Sequence, residues 1–362
     1  MLESKSCGPQ RERVCLVAPG VWVVIIPGWP LKVFIIRLTK LLTYQPASRL
    51  DDRRQEMNLQ KQLMERFGIN GVLVFKQNEG GLISAVVTTP TSTAEIYLQG
   101  AHLTHWQPNG QEPVLFLSER SAFQPGKAIR GGVPLIFPWF AARTATPFCD
   151  RTDGPSHGFA RTSEWLLVEA GRSKDDFEMV FRLTNNDASR EVGFESFSAT
   201  YKICVGSELE LELIVENQSA QTFQFEEAFH TYLAVGDARK ISVSGLQNLE
   251  YIDRADSLKL KRHEETEFHL SGETDRLFVD AGGKIEIEDP VLKRVISVDK
   301  LNSQSSVIWN PWDQLTAKMS DMAPDGWSRM VCVESANANK NAVVLPSGKH
   351  HTMHARVAVS SL

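Results

Sequence analysis

Residues Glu208–Glu216 read E-L-E-L-E-L-I-V-E, with an aliphatic residue at every second position and glutamates filling most of the gaps. A period of two places the leucines on one face of an extended chain and the glutamates on the other. The stretch is therefore expected to be a half-buried antiparallel strand with water on its glutamate face. Working outward, Phe177–Leu183 alternates in the same way, and Phe194–Val205 and Phe223–Val235 are long strand-like runs. Shorter runs bounded by Gly, Pro or Asn lie at Gly71–Phe75, Leu82–Thr88, Ala94–Leu98, Ala101–Trp106 and Pro113–Leu117. Others follow at Lys284–Glu288, Val295–Asp299, Val307–Trp309, Met330–Glu334, Ala342–Leu345 and Ala355–Val359. Helical spacing is clear only at Asn58–Gly68, which ends in a glycine stop. Many short strands with few short helices predict an all-β fold, a large antiparallel β-sandwich.

The chain has 362 residues, 42% of them hydrophobic and 23% charged, and a formal net charge of −5. Lys and Arg are scattered rather than gathered into a stripe, which argues against nucleic acid as a partner. A phosphorylated small molecule stays open, because local arginines decide that. Cys7, Cys15, Cys149, Cys204 and Cys332 are odd in number and widely spaced, with no C-x-x-C pair. That pattern speaks against a disulfide framework or a zinc knuckle and fits a reducing cytoplasm. Val14–Ile36 is apolar over a membrane-spanning length, yet Pro19, Pro27, Pro30 and Lys32 interrupt it, so membrane contact is not expected. Residues 1–56 read instead as an N-terminal extension, disordered or adventitiously packed, arising from a misassigned start ahead of Met57.

Chemistry concentrates in a few segments. Arg130-Gly131-Gly132-Val133-Pro134 joins consecutive glycines, which let backbone approach a ligand, to an arginine whose fork suits phosphate or carboxylate. Ser156-His157-Gly158-Phe159-Ala160-Arg161 follows a polar loop and suits an inward imidazole beside an anion-gripping arginine. Phe229-His230-Thr231-Tyr232-Leu233 places a titratable ring on an apolar strand, sharing a face with Tyr232. Glu334 follows the buried run Val331-Cys332-Val333, where burial pushes a carboxyl upward towards general-base range. Asp275 falls in the turn Ser271–Asp275 and is expected to be exposed. The trio His350, His351 and His354 looks like a metal cluster, but adjacent strand residues point to opposite faces, so no metal is expected. Each segment also has a plain structural reading: a sheet corner, a capping loop, a core histidine.

Taken together and in order, R-G-G-V-P-L-I-F-P-W-F, S-H-G-F-A-R, F-H-T-Y-L, V-I-W-N-P-W and V-C-V-E-S resemble the glucose-6-phosphate 1-epimerase family, the hexose-6-phosphate mutarotases of the galactose-mutarotase-like superfamily. The resemblance covers Met57 to the C-terminus, implying one mutarotase-like catalytic domain over 57–362. It implies a β-supersandwich and cofactor-free interconversion of α and β anomers of glucose 6-phosphate or related hexose 6-phosphates by a monomer. His230 and Glu334 match the catalytic pair, protonated His230 as acid and the Glu334 carboxylate as base. Arg130, Arg161 and Asp275 match substrate-binding positions, with His157 beside them. Where some relatives carry glutamine or aspartate before H-G, this chain has Ser156, whose sugar contact is left open. Two rival readings differ in class. A glycoside hydrolase needs two carboxylates about 5–5.5 or 6.5–9.5 Å apart, and leaves the histidine and arginines without a role. A sugar-phosphate sensor keeps the arginines and tolerates loss of His230 or Glu334.

Overall fold

The alternating Glu208–Glu216 segment forms the strand Leu209–Asn217, lying between Phe197–Val205 and His350–Ser361 in a nine-stranded antiparallel sheet. Leu209, Leu211, Leu213 and Val215 are fully buried, whereas Glu210 and Glu216 face water. Glu212 pairs across the sheet with Lys202 at 2.6 Å. Asp176–Thr184 and Leu166–Ser173 complete one flank, and Arg294–Leu301, Ile285–Asp289, Ser242–Ser244 and Glu267–Phe268 the other.

A second, eight-stranded sheet carries Asp275 and Glu334. Its central members are Thr274–Phe278, Ser305–Asn310, Met330–Asn337 and Glu227–Phe229, with Leu135–Ile136 at one edge and Glu250–Asp253 then Lys259–Arg262 at the other. Rings from the two sheets meet in one core: Tyr201 of the first stacks on Phe229 of the second at 5.6 Å. Phe137 packs among Phe194, Phe197 and Phe225, each 5.5 Å away. A four-stranded meander runs through Leu73–Gln77, Ile83–Thr88, Ser92–Tyr97 and His102–Pro108. Helices are short, Asp187–Glu191 and Trp312–Thr316, besides the expected one at 59–67, where Gly68 N–H closes onto Met64 O. The antiparallel sandwich expected from the alternation is what forms.

This structure, a computed structural model, describes residues 59–362 and the backbone of two further strands, Arg13–Ala18 and Val21–Ile25, which pair as a hairpin. Met1–Asp52 and Arg53–Leu362 are separate units. The expectations for residues 1–56, apart from that hairpin's backbone, lie outside the described residues. Among the described residues no helix is long and apolar enough to cross a membrane.

Three expectations are corrected. Phe223–Val235 is not one strand but three, Phe223–Phe225, Glu227–Phe229 and Tyr232–Ala234. The last break falls at His230 and Thr231, where Thr231 N–H turns back onto Phe229 O at 2.9 Å instead of continuing a ladder. Pro113–Leu117 forms only isolated bridges, Leu115 with Leu233 and Leu117 with Gly131. Asp275 is not in an exposed turn: it lies on the strand Thr274–Phe278, its side chain 26% exposed, opposite Trp309. The strands Leu166–Ser173, Glu250–Asp253 and Lys259–Arg262 were not legible, because they lie at or beside sheet edges, where alternation is not enforced.

Candidate active site

The two residues expected to trade protons meet. His230 Nε2 stands 3.4 Å from Glu334 Oε1, with both side chains buried. They arrive from neighbouring segments of one sheet. Glu334 is on Met330–Asn337, and His230 occupies the kink between two strands that both pair with it. The kink is held from both sides: His230 N–H donates to Pro134 O, and Tyr232 N–H to Gly132 O, so the R-G-G-V-P segment runs alongside F-H-T-Y. Here the glycines do something other than expected. Gly131 and Gly132 have φ of 113° and 63°, and a Cβ on them would stand 2.4 Å from Phe116 O and 2.3 Å from Leu103 O. They admit neighbouring backbone, not ligand.

Around the pair stand three arginines. Arg130 donates from Nε and Nη2 to Asp321 Oδ2 at 3.0 and 2.9 Å, and from Nη1 to the Tyr232 hydroxyl at 2.9 Å. Its forked edge is thus already engaged. Arg254 donates from Nε to Asp275 Oδ2 at 3.2 Å and lies over the Phe140 ring. Arg161 donates from Nη2 to the main-chain carbonyl of Ser156 at 2.9 Å, and among the described residues it has no carboxylate at ion-pair distance. Ser156 therefore enters through its backbone, its own side chain being exposed.

His157 is held in the left-handed region at φ 67°, followed by Gly158 at φ 72°. Such backbone is costly for a residue with a Cβ and persists where surrounding structure enforces it. The enforcement is visible: His157 N–H donates to Ala141 O at 2.7 Å, and Ala141 N–H donates to His157 Nδ1 at 3.2 Å. Nδ1 is thereby the acceptor, which leaves Nε2 to carry the ring proton. The imidazole edge packs on Phe140 and lies 5.9 Å from the His230 ring, centre to centre. Burial, with Arg161, Arg254 and Arg130 nearby, pushes the His157 imidazole down to about 3, so it is a neutral donor at neutral pH.

Electrostatics follow from the same burial. Desolvation drives the Glu334 carboxyl well above its ordinary range, helped by the Asp275 charge and opposed by Arg254 and Arg161. Desolvation drives the His230 imidazole well below its own, helped by His157, Arg130 and Arg161. Asp275 is raised by burial against the pull of Arg254. Perturbed groups of this kind mark functional sites more often than structural ones.

Arg130, Ser156, His157, Arg161 and Asp275 thus lie near the pair or are bonded to a residue that does. Three were missed: Arg254, Asp321 and Glu226. Glu226 accepts from Phe140 N–H at 2.7 Å and from Asn339 N–H at 2.6 Å, tying the His157 loop to the end of the Glu334 strand. No local pattern announces these residues, since each works through a partner distant in sequence. The three candidate metal ligands go separate ways: His351 meets the buried Glu227 at 2.9 Å, His354 faces Glu210 and His350 is exposed. A cavity of about 580 Å³ borders Trp139, Arg143, Phe148, Phe223 and Glu226, but neither His230 nor Glu334 lines it. The titratable pair is the stronger candidate site, because there a buried imidazole and a buried carboxyl lie close to an arginine without a carboxylate partner among the described residues.

The proteins this chain is similar to are carbohydrate epimerases, a class of isomerases. The family model described as aldose 1-epimerase matches residues 85–358, and the chain belongs to that family. It is 35% identical over 266 residues, 74% of this chain and 87% of the relative, to an Escherichia coli protein named "Putative glucose-6-phosphate 1-epimerase". A plant protein of the same name, from Cenchrus ciliaris, is 29% identical over 280 residues, covering 74% of this chain and 81% of its own length. A solved Salmonella typhimurium structure described as a "putative mutarotase" superposes with a TM-score of 0.75 at 31% identity, covering 82% of this chain and 96% of that one.

Proposed function

We propose that the protein interconverts the α and β anomers of a hexose 6-phosphate, glucose 6-phosphate foremost, by opening and reclosing the pyranose ring. The observation that carries the reading is the buried His230–Glu334 contact at 3.4 Å beside an arginine with no acidic partner among the described residues. Ring opening removes the proton from the C1 hydroxyl and delivers one to the ring oxygen. Rotation about C1–C2 and the reverse transfers then close the other face. The pair suits this because it holds one mobile proton in total. Carboxylate with imidazolium and carboxylic acid with imidazole contain the same number of protons, so moving between them needs no exchange with solvent. Desolvation favours the neutral arrangement in the empty site; hydroxyl groups of a bound sugar supply the hydrogen bonds that let the ionised arrangement form. General acid–base catalysis of this type is worth roughly 10²–10⁴-fold.

Arg161 supports a phosphorylated substrate. Arg130 and Arg254 are each neutralised by a carboxylate, while Arg161 presents a half-buried charge satisfied by a single carbonyl. Clamping a phosphate remote from C1 spends binding energy on orienting the reacting atoms. Neutral His157, proton on Nε2, offers a donor to a sugar oxygen. The related proteins named as glucose-6-phosphate 1-epimerases favour the same substrate.

The test is anomer exchange on freshly released α-glucose 6-phosphate, followed by NMR, with unphosphorylated glucose and galactose as controls. Catalysed exchange of the phosphorylated sugar is expected, with Arg161→Ala raising its KM roughly 10–100-fold, the worth of a charge-assisted hydrogen bond. Equal activity on all three sugars, unaffected by Arg161→Ala, refutes the phosphate reading.

A further inference from the structure

A catalytic histidine is usually aimed by a hydrogen bond from its second nitrogen to a carboxylate or carbonyl. Among the described residues His230 finds no such partner on another residue: its Nε2 faces Glu334, its Nδ1 is buried, and the ring's backbone hydrogen bond goes only to its own residue, which moves with it. Something else must hold the ring. Tyr232 lies flat on it, with ring centres 4.7 Å apart and planes 9° from parallel. Trp309 sets its edge against both rings, 6.0 Å from His230 and 5.9 Å from Tyr232. The Tyr232 ring is itself immobile: it is 1% exposed, and its hydroxyl accepts from Arg130 Nη1. Arg130 is pinned in turn by Asp321, and its backbone N–H donates to Ser121 Oγ at 2.9 Å.

We propose that Tyr232 is the positioning residue for His230: its ring, laid on the imidazole and pinned by Arg130, fixes the ring orientation, so that the same nitrogen always faces Glu334 and that contact selects one tautomer. The inference rests on the acid–base role given above to His230. One consequence follows from the geometry. When the imidazolium forms, it lies over the electron-rich face of a phenol ring, an arrangement that stabilises a desolvated cation. The other charged or titratable groups facing the ring are Glu334 from its own strand, His157 from the S-H-G turn, and Arg130 and Arg161, all three of the last disfavouring its charged form. Tyr232 is the neutral surface among them.

Two variants of the full chain separate ring from hydroxyl. Tyr232→Leu removes the stacked face, and Tyr232→Phe keeps it while releasing Arg130. Steady-state anomer exchange of glucose 6-phosphate gives kcat and KM, and ¹⁵N-histidine NMR reports the His230 tautomer without reference to activity. Tyr232→Leu is expected to lose about 100-fold in kcat, the usual cost of misplacing a reacting group by about 1 Å, with KM within about 3-fold. Its His230 signals should show mixed tautomers where the unaltered protein shows one. Tyr232→Phe should restore the single tautomer and recover kcat to within about 5-fold of the unaltered protein, since the misplacement cost is removed. A single unchanged tautomer in Tyr232→Leu, or equal damage in both variants, overturns the proposal. If Tyr232→Leu does not fold, Tyr232→Met, which keeps side-chain volume but removes the flat face, replaces it under the same criteria. Should the unaltered protein fail to exchange anomers at all, the acid–base reading falls, while the tautomer comparison still decides whether Tyr232 orients His230.

Discussion

Leu209–Asn217 and Met330–Asn337 are strands of similar length in the two large sheets, and they handle polar groups in opposite ways. The first turns its glutamates to water and buries only aliphatic side chains until Asn217. The second is buried along all eight residues and takes Glu334, Ser335 and Asn337 in with it. Within that second strand the treatment differs again. Asn337 donates to Glu227 Oε1 and Asn302 O at 2.8 and 2.7 Å, whereas Glu334 Oε2 has no partner among the described residues. Buried polar atoms are nearly always satisfied. The stranded oxygen belongs to the same carboxyl whose other oxygen meets His230 at 3.4 Å, as expected if stability is given up there for the proposed chemistry. The first strand contributes aliphatic side chains to the core; the second carries a carboxyl whose charged form burial disfavours.

The largest effect should come from breaking the reactive strand. Glu334→Gln and His230→Ala are each expected to cut kcat for anomer exchange by at least ~10²–10⁴-fold, with near-UV circular dichroism unchanged. Full activity in both would remove the distinction between the strands. Next comes the structural strand. Leu211→Ala should cost about 2–5 kcal/mol in denaturant unfolding, through lost burial and a residual cavity, while kcat per folded molecule stays constant. A fall in kcat comparable to that of Glu334→Gln would show that the two sheets are not functionally separable.

The smallest effect sharpens the contrast most. A carboxyl held above its unfolded value contributes stability that is complete below that value and fades as pH rises towards the folded one. Glu334 is such a group, starting from an ordinary 4.5. This contribution should therefore fade as pH rises above about 4.5 and be missing from Glu334→Gln, so the melting temperature of the glutamine variant should gain on that of the unaltered protein as pH is raised. A gain that fails to appear would mean that Glu334 is structural after all.

Much of the fold was legible because alternation is a local signal. Period-two runs such as Phe177–Leu183 and Glu208–Glu216 became strands within a residue or two at each end. The edge strand Lys259–Arg262, reading K-L-K-R, was not, since neither of its faces is enclosed. At the site, His230 and Glu334 were recognisable from the motifs around them. Arg254, Asp321 and Glu226 were not, because each acts through a partner 21, 191 or 86 positions away.

By itself, then, the order of residues determined that the chain would make antiparallel sheets and which side chains were chemically capable. Patterning of period two is written between neighbours, and strand-forming energetics act at that range. Tertiary structure alone decided that the chain breaks at His230, that the paired glycines admit backbone, and that two arginines are neutralised while a third is not. Those outcomes depend on which strands become neighbours across the sheet and on how completely water is excluded between them, and no short stretch of sequence encodes either.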